Sequence, residues 1–152
     1  EAISEDLFFN INYFCNSRKI SICNNCSYNY YENYNSISKK YNPYRFVRTK
    51  KYYIELKKII NSYNLDDCDY RLKRSFMTKV RIAIMHVVNS NLKTREKLKE
   101  LKTIVGDSLV TEVIKDFPIN NYKFGTKMYM KFLKNKNAIL LYILVLIRVK
   151  TK

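Results

Sequence analysis

Gly106, Gly125, Pro43 and Pro118 are the whole supply of the two residue types that sharp turns draw on most. A chain of 152 residues with two glycines and two prolines cannot make the many tight reversals of an all-β sandwich or barrel. It is pushed toward long helices joined by few loops. Hydrophobic residues make up 47% of it, enough for one compact core and too many for a disordered chain.

Apolar periodicity places those helices. Ser4 is suited to cap a helix, with Glu5 and Asp6 in its first turn and Leu7, Ile11, Phe14 and Cys15 following at helical spacing. Ser17 to Lys19 breaks that pattern. Lys19-Ile20-Ser21-Ile22-Cys23 then alternates as a short strand does, Asn24-Asn25 marks a turn, and residues 27–31 form a second extended piece. Residues 33–43 are loop-like. A helix is expected from near Tyr44 to about Tyr63, its apolar side carried by Val47, Ile54 and Ile60. Asp66, Asp67 and Asp69 crowd the start of the next, which Tyr70, Phe76, Met77, Val80, Ile84 and Val87 carry to about Asn89. Leu98, Leu101, Ile104 and Val105 predict a shorter helix stopping at Gly106, and residues 108–117 another, ended by Pro118. One last helix is expected from about Thr126 to Val149. The expected fold class is therefore mainly α (α+β): a small β-containing corner over residues 1–43 and a basic helical region over 44–152.

The 29 Lys and Arg stand against 13 Asp and Glu, a formal charge of +16 that calls for an anionic partner. Eight basic residues and one acid lie between Lys39 and Lys58, and eight basic residues and no acid follow Asp116. Cys23-Asn-Asn-Cys26 has metal-ligand spacing, but only Cys15, Cys68 and His86 remain to complete a tetrahedral site, so no metal site is expected. His86, among Ile84, Val87 and Val88, fits a packed, hydrogen-bonded residue. The run from Ala138 to Ile147 is far below the roughly 20 residues needed to cross a bilayer. It suits either a packed helix or a membrane-surface one, and the acidic N-terminus does not read as a signal peptide.

Ser4-Glu5-Asp6-Leu7-Phe8-Phe9-Asn10 resembles the "S/G-E-D-x-x-F-N" segment of family 2 glycosyltransferases with the GT-A fold. In that family a strand follows, then a Tyr-rich stretch ending in "N-S-I-S". Here Lys19-Ile20-Ser21-Ile22, Tyr28-Asn29-Tyr30-Tyr31 and Asn35-Ser36-Ile37-Ser38 stand in that order. The resemblance is specific over residues 1–43. Over 44–152 it is general: members often carry a basic helical C-terminal extension. It implies that the chain is the C-terminal portion of an enzyme that moves a sugar from a nucleotide sugar to a glycan or lipid-linked acceptor, in cell-surface polysaccharide synthesis. Asp6 would be the general base that takes the acceptor hydroxyl's proton, and Glu5 would orient the acceptor. Tyr28, Tyr30 and Tyr31 would line the sugar pocket, or pack as edge-strand residues. Ser36 would cap its loop or touch phosphate. Where many members have Arg at position 31 this chain has Tyr, which removes one diphosphate contact.

The resemblance also implies a divalent metal, Mg or Mn, held with the nucleotide sugar by an Asp-x-Asp segment that belongs upstream of Glu5. Asp67-Cys68-Asp69 has the letters but sits at a helix start, where it reads as capping. This chain alone is expected to bind neither donor nor metal and to be inactive. An anionic membrane surface and a second copy of the chain are further candidate partners, and the expected location is the cytoplasm, peripheral on the inner membrane face. The alternative is a basic helical nucleic-acid-binding or membrane-surface module without catalysis; spread-out charge and the lack of a recognisable binding motif count against nucleic acid.

Overall fold

The architecture is that of a computed structural model. It describes the backbone of residues 5–25, 31, 41–63 and 68–150, and the side chains of these other than residues 5–7, 149 and 150. Two compact units divide the chain, residues 1–40 and 41–152. Among the described residues every regular element is a helix, and no strand occurs. The expected α+β class with its β-containing corner is corrected on that ground.

In the first unit, α1 spans Glu5–Asn16. It stops where short polar side chains turn back onto it. Asn16 Nδ2 donates to the Asn12 carbonyl at 2.8 Å, and Ser17 Oγ donates to the Tyr13 carbonyl at 2.7 Å. These bonds satisfy last-turn carbonyls that a continuing helix would have used. Lys19–Cys23, expected as a strand, is irregular chain. Ile20 and Ile22, which would share the buried face of a strand, are 60% and 91% exposed. Alternation makes a strand only where a neighbour supplies the ladder, and none is present among the described residues.

The second unit is a helical bundle: α2 (Arg45–Ser62), α3 (Asp69–Asn89), α4 (Thr94–Gly106), α5 (Ser108–Lys115), a 3-10 turn at Ile119–Asn121, α6 (Phe124–Lys134) and α7 (Ala138–Lys150). α3 is its axis, packing against α2, α4, α5 and α7. Phe76, Val80 and Ile84, four residues apart, are fully buried, with Met77, Val87 and Val88 beside them. Around them close Leu101, Ile104 and Val105 of α4, Val110, Val113 and Ile114 of α5, Met130 and Leu133 of α6, and Leu141 and Val145 of α7. Each buried side chain of this size stabilises by roughly 1.5–3 kcal/mol, before entropy is charged against it.

α2 turns a different side inward than its aliphatic residues indicate. Val47 and Ile54 are exposed, while Phe46, Thr49, Tyr52 and Tyr53 are buried. Tyr53 packs on Phe76 with ring centroids 4.7 Å apart. The larger rings gain more from burial than Val and Ile, and they fix the helix's rotation. A second aromatic set closes the α5–α6 loop: Phe117 lies between Tyr70 and Tyr122, at 6.0 and 5.8 Å.

The α4–α5 corner turns on one residue. Asp107 ends α4 and caps α5, its carboxylate accepting from Leu109 N–H at 3.0 Å and Val110 N–H at 3.3 Å. The same carboxylate binds Lys50 Nζ of α2 at 2.7 Å and is largely shielded from water. Gly106 closes α4 without a left-handed φ, so the stop comes from Asp107's extended backbone (φ −63°, ψ 135°).

The single last helix expected over Thr126–Val149 is two helices. α6 ends in a turn where Lys136 N–H donates to Leu133 and Asn137 N–H to Phe132, with Lys136 at φ 54°. This is the bonding of a Schellman end, with lysine at the position that glycine normally fills. Asn137 then caps α7, its Oδ1 accepting from Leu140 N–H at 3.0 Å. Among the described residues no helix is long and apolar enough to cross a membrane.

Three stability outcomes follow from this packing. Lys136→Gly relieves the left-handed backbone and raises stability by about 1 kcal/mol, or about 4 °C in Tm by calorimetry. Asp107→Ala lowers stability by about 2 kcal/mol, whereas Asp107→Asn keeps the cap and loses about half as much; urea melts of the pair separate cap from ion pair. The third concerns pH. The Tyr53 and Tyr129 hydroxyls are buried with no hydrogen-bond partner, and burial pushes both phenols above their ordinary value, Tyr129 far above it. Such a phenol stays protonated when folded but ionises when unfolded once pH passes about 10, so its contribution is complete below that pH and is lost as pH rises. Tyr129→Phe leaves stability at neutral pH unchanged or higher and flattens its fall between pH 10 and 12, read by thermal melts across pH.

Candidate functional site

An acidic pair at a helix start is the feature from which a site has to be built. α1 begins at Glu5, so Glu5 and Asp6 occupy its first turn, where free backbone N–H groups and the helix dipole favour carboxylate anions. Their side chains lie outside the described residues. Their backbone positions are related by helical spacing to the residues that follow. Phe9 follows Glu5 by four residues and Asp6 by three, Asn12 follows Glu5 by seven, and Tyr13 follows Asp6 by seven.

The side of α1 that bears Phe9 and Tyr13 is exposed among the described residues. Phe9, Asn12, Tyr13, Asn16 and Ser17 line a shallow, open groove along it. Phe9 and Tyr13 are well exposed and stacked, with centroids 6.3 Å apart and planes 16° from parallel, and the Phe14 ring meets Tyr13 edge-on at 6.2 Å. Flat rings beside amide side chains make a lining suited to a sugar, whose C–H face packs on aromatics and whose hydroxyls pair with amides. Sequence reasoning fixed on the acids and missed this wall. The signal was present in the spacing of Phe9, Tyr13 and Asn16.

Of the tyrosines and serine expected around the acids, Tyr28, Tyr30 and Ser36 lie outside the described residues. Tyr31 is described: it is 83% exposed and does not line the groove. Cys15 and Cys23 are exposed free thiols, and Cys26 lies outside the described residues. Among the described residues no three His, Cys, Asp or Glu side chains are grouped to hold a metal. In the α3 start, Asp69 pairs with Lys73 at 2.7 Å in its own helix, as a first-turn acid does; Asp67 is outside the described residues.

A second cluster lies in the bundle, on the seam between α2 and α3. Lys79 Nζ stands 4.2 Å from the centre of the Tyr52 ring. Burial, and after it the charge of Arg45, pulls the Lys79 ammonium below its ordinary value; burial and Arg48 do the same to Arg45. Three cations crowded on one seam resist further positive charge and attract anions. Neither that cluster nor Tyr52 stood out in the sequence, because its members come from positions 45–52 and 79 and meet only when the helices pack.

Comparison of the chain with family models, with curated proteins and with solved structures gives no match.

Proposed function

We propose that this chain is the acceptor-side, C-terminal portion of an inverting glycosyltransferase of the family 2 type, transferring a sugar from a nucleotide sugar to a glycan or lipid-linked acceptor. The observation that carries this reading is that Glu5 and Asp6 belong to the first turn of α1, the helix that also bears the exposed Phe9, Asn12 and Tyr13 groove. Ser4-Glu5-Asp6-Leu7-Phe8-Phe9-Asn10 supports it as the motif that this family carries at that place.

The roles follow from what inversion requires. The acceptor's hydroxyl oxygen attacks the anomeric carbon as the bond to the nucleotide's phosphate oxygen breaks, and the hydroxyl proton must leave as the new bond forms. Asp6 receives it on a carboxylate oxygen. Glu5, one residue earlier and 100° round the helix, orients the acceptor. The Phe9 and Tyr13 rings hold the acceptor sugar against the helix so that its hydroxyl meets Asp6. By the resemblance, donor and metal belong to an Asp-x-Asp segment in the remainder of the enzyme, so no step is routed through a metal here.

The test uses the full-length enzyme. Asp6→Asn lowers kcat by roughly a hundredfold or more, the scale of a lost general base, while calorimetric binding of the nucleoside diphosphate is retained. Unchanged transfer removes Asp6 from the mechanism. Replacing Phe9 and Tyr13 together by Ser raises KM for the acceptor and leaves KM for the donor in place.

A further inference from the structure

α7 is a surface helix with no polar side among its described side chains. Ala138, Leu141 and Val145 face the core. On the opposite side stand Ile139, Leu140, Ile143 and Ile147, at 55%, 42%, 46% and 56% exposure. At 100° per residue these four fall within one arc of about 100° centred opposite the buried three. A helix at a protein's surface ordinarily turns charged residues outward; the exposed residues of this one are aliphatic over about two and a half turns, with Tyr142 and Arg148 half-exposed to either side.

The neighbouring helix supplies what α7 lacks. α6 buries Tyr129, Met130 and Leu133 and carries Lys127, Lys131 and Lys134 on its other side, Lys127 half-exposed and the other two exposed, the Lys134 ammonium donating to the Lys115 carbonyl at 2.9 Å, with Phe124 80% exposed nearer the start of the helix. α6 and α7 run antiparallel through the three-residue turn at Asn135–Asn137. Their far ends stay together, since a side chain at Gly125 would strike the Arg148 guanidinium. The hairpin therefore presents lysines from α6 and aliphatic side chains from α7 at its surface. No acid follows Asp116, so the hairpin carries only positive charge.

We propose that the outer surface of the α6–α7 hairpin docks on an anionic lipid bilayer, with the α7 aliphatic row in the boundary between headgroups and acyl chains and the α6 lysines on lipid phosphates. Two features choose this occupant. A second copy, paired about a two-fold axis through this surface, would bring lysine rows together with no acid to oppose them. A nucleic acid would satisfy the lysines and leave four aliphatic side chains with nothing to enter, since bases stack on rings and not on branched alkyl groups. A bilayer accepts both rows at once. At 13 residues α7 is too short to span, so it lies in the membrane plane. The inference draws on the bundle alone and stands or falls separately from the role of Asp6.

The test measures flotation of the full chain with vesicles. Wild-type protein floats with phosphatidylglycerol–phosphatidylcholine vesicles, binds pure phosphatidylcholine at least about tenfold more weakly, and is released by salt. The triple variant I139S/I143S/I147S loses binding by about tenfold or more, and K127Q/K131Q/K134Q by about a hundredfold, near fivefold per lysine. None of the six positions is buried, and unchanged far-ultraviolet circular dichroism and melting confirm that each variant is folded. Wild-type binding by the folded serine variant overturns the proposal. So does a wild-type chain that ignores anionic vesicles but sediments as a dimer that Ile143→Ser dissociates, for then a second copy covers the face. A chain that binds oligonucleotide in preference to vesicles, with affinity untouched by the serine substitutions, overturns it as well.

Discussion

The bundle depends on one helix being wanted on nearly every side. α3 is packed against α2, α4, α5 and α7, and its Phe76, Val80 and Ile84 have no contact with water. Four-residue spacing places them on one line, and Met77, Val87 and Val88 widen that line into a band that several helices can share. No other element could hold the unit together in its absence: α5 has eight residues and α6 eleven, lengths at which an isolated helix is marginal in water. Cationic side chains are left on the outside because the interior has little to pair them with. The described ion pairs, Lys50–Asp107 apart, are exposed and contribute little.

What could be read from the sequence was whatever rested on periodicity and local end signals. α3, α4 and α5 fall close to the expected spans, since strong apolar spacing, Gly106 and Pro118 mark them. α1 was legible as a helix because its acids sit at the start. Three features were not. The break between α6 and α7 uses neither glycine nor proline; a lysine holds a left-handed φ because the flanking helices fix it there. The rotation of α2 depends on Tyr52 and Tyr53 outbidding Val47 and Ile54 for the core, a contest decided by the shape of α3. The alternation at Lys19–Cys23 is a true sequence signal without a structural partner among the described residues, so it makes no strand.

The two surfaces with chemical character differ in how they announced themselves. The acids of α1 belong to a contiguous motif, and contiguity is what a sequence displays. The aromatic wall beside them, the cations around Tyr52 and the paired rows of α6 and α7 are each assembled across turns or across helices. α7 in particular is apolar throughout, so its composition could not tell its buried side from its outer one. Only the position of α3 and α4 beneath it decides which isoleucines face out.

Asp107 has a mechanical meaning beyond its hydrogen bonds. It is the whole of the connection between α4 and α5, and its carboxylate is engaged at the same time with α5's first N–H groups and with Lys50. The corner thus has no slack. A twist applied to α4 passes to α5 and to α2 without a loop to absorb it, so these three segments move as one stiff bracket. Any bending of the unit is left to the longer connections, among them the one between α5 and α6.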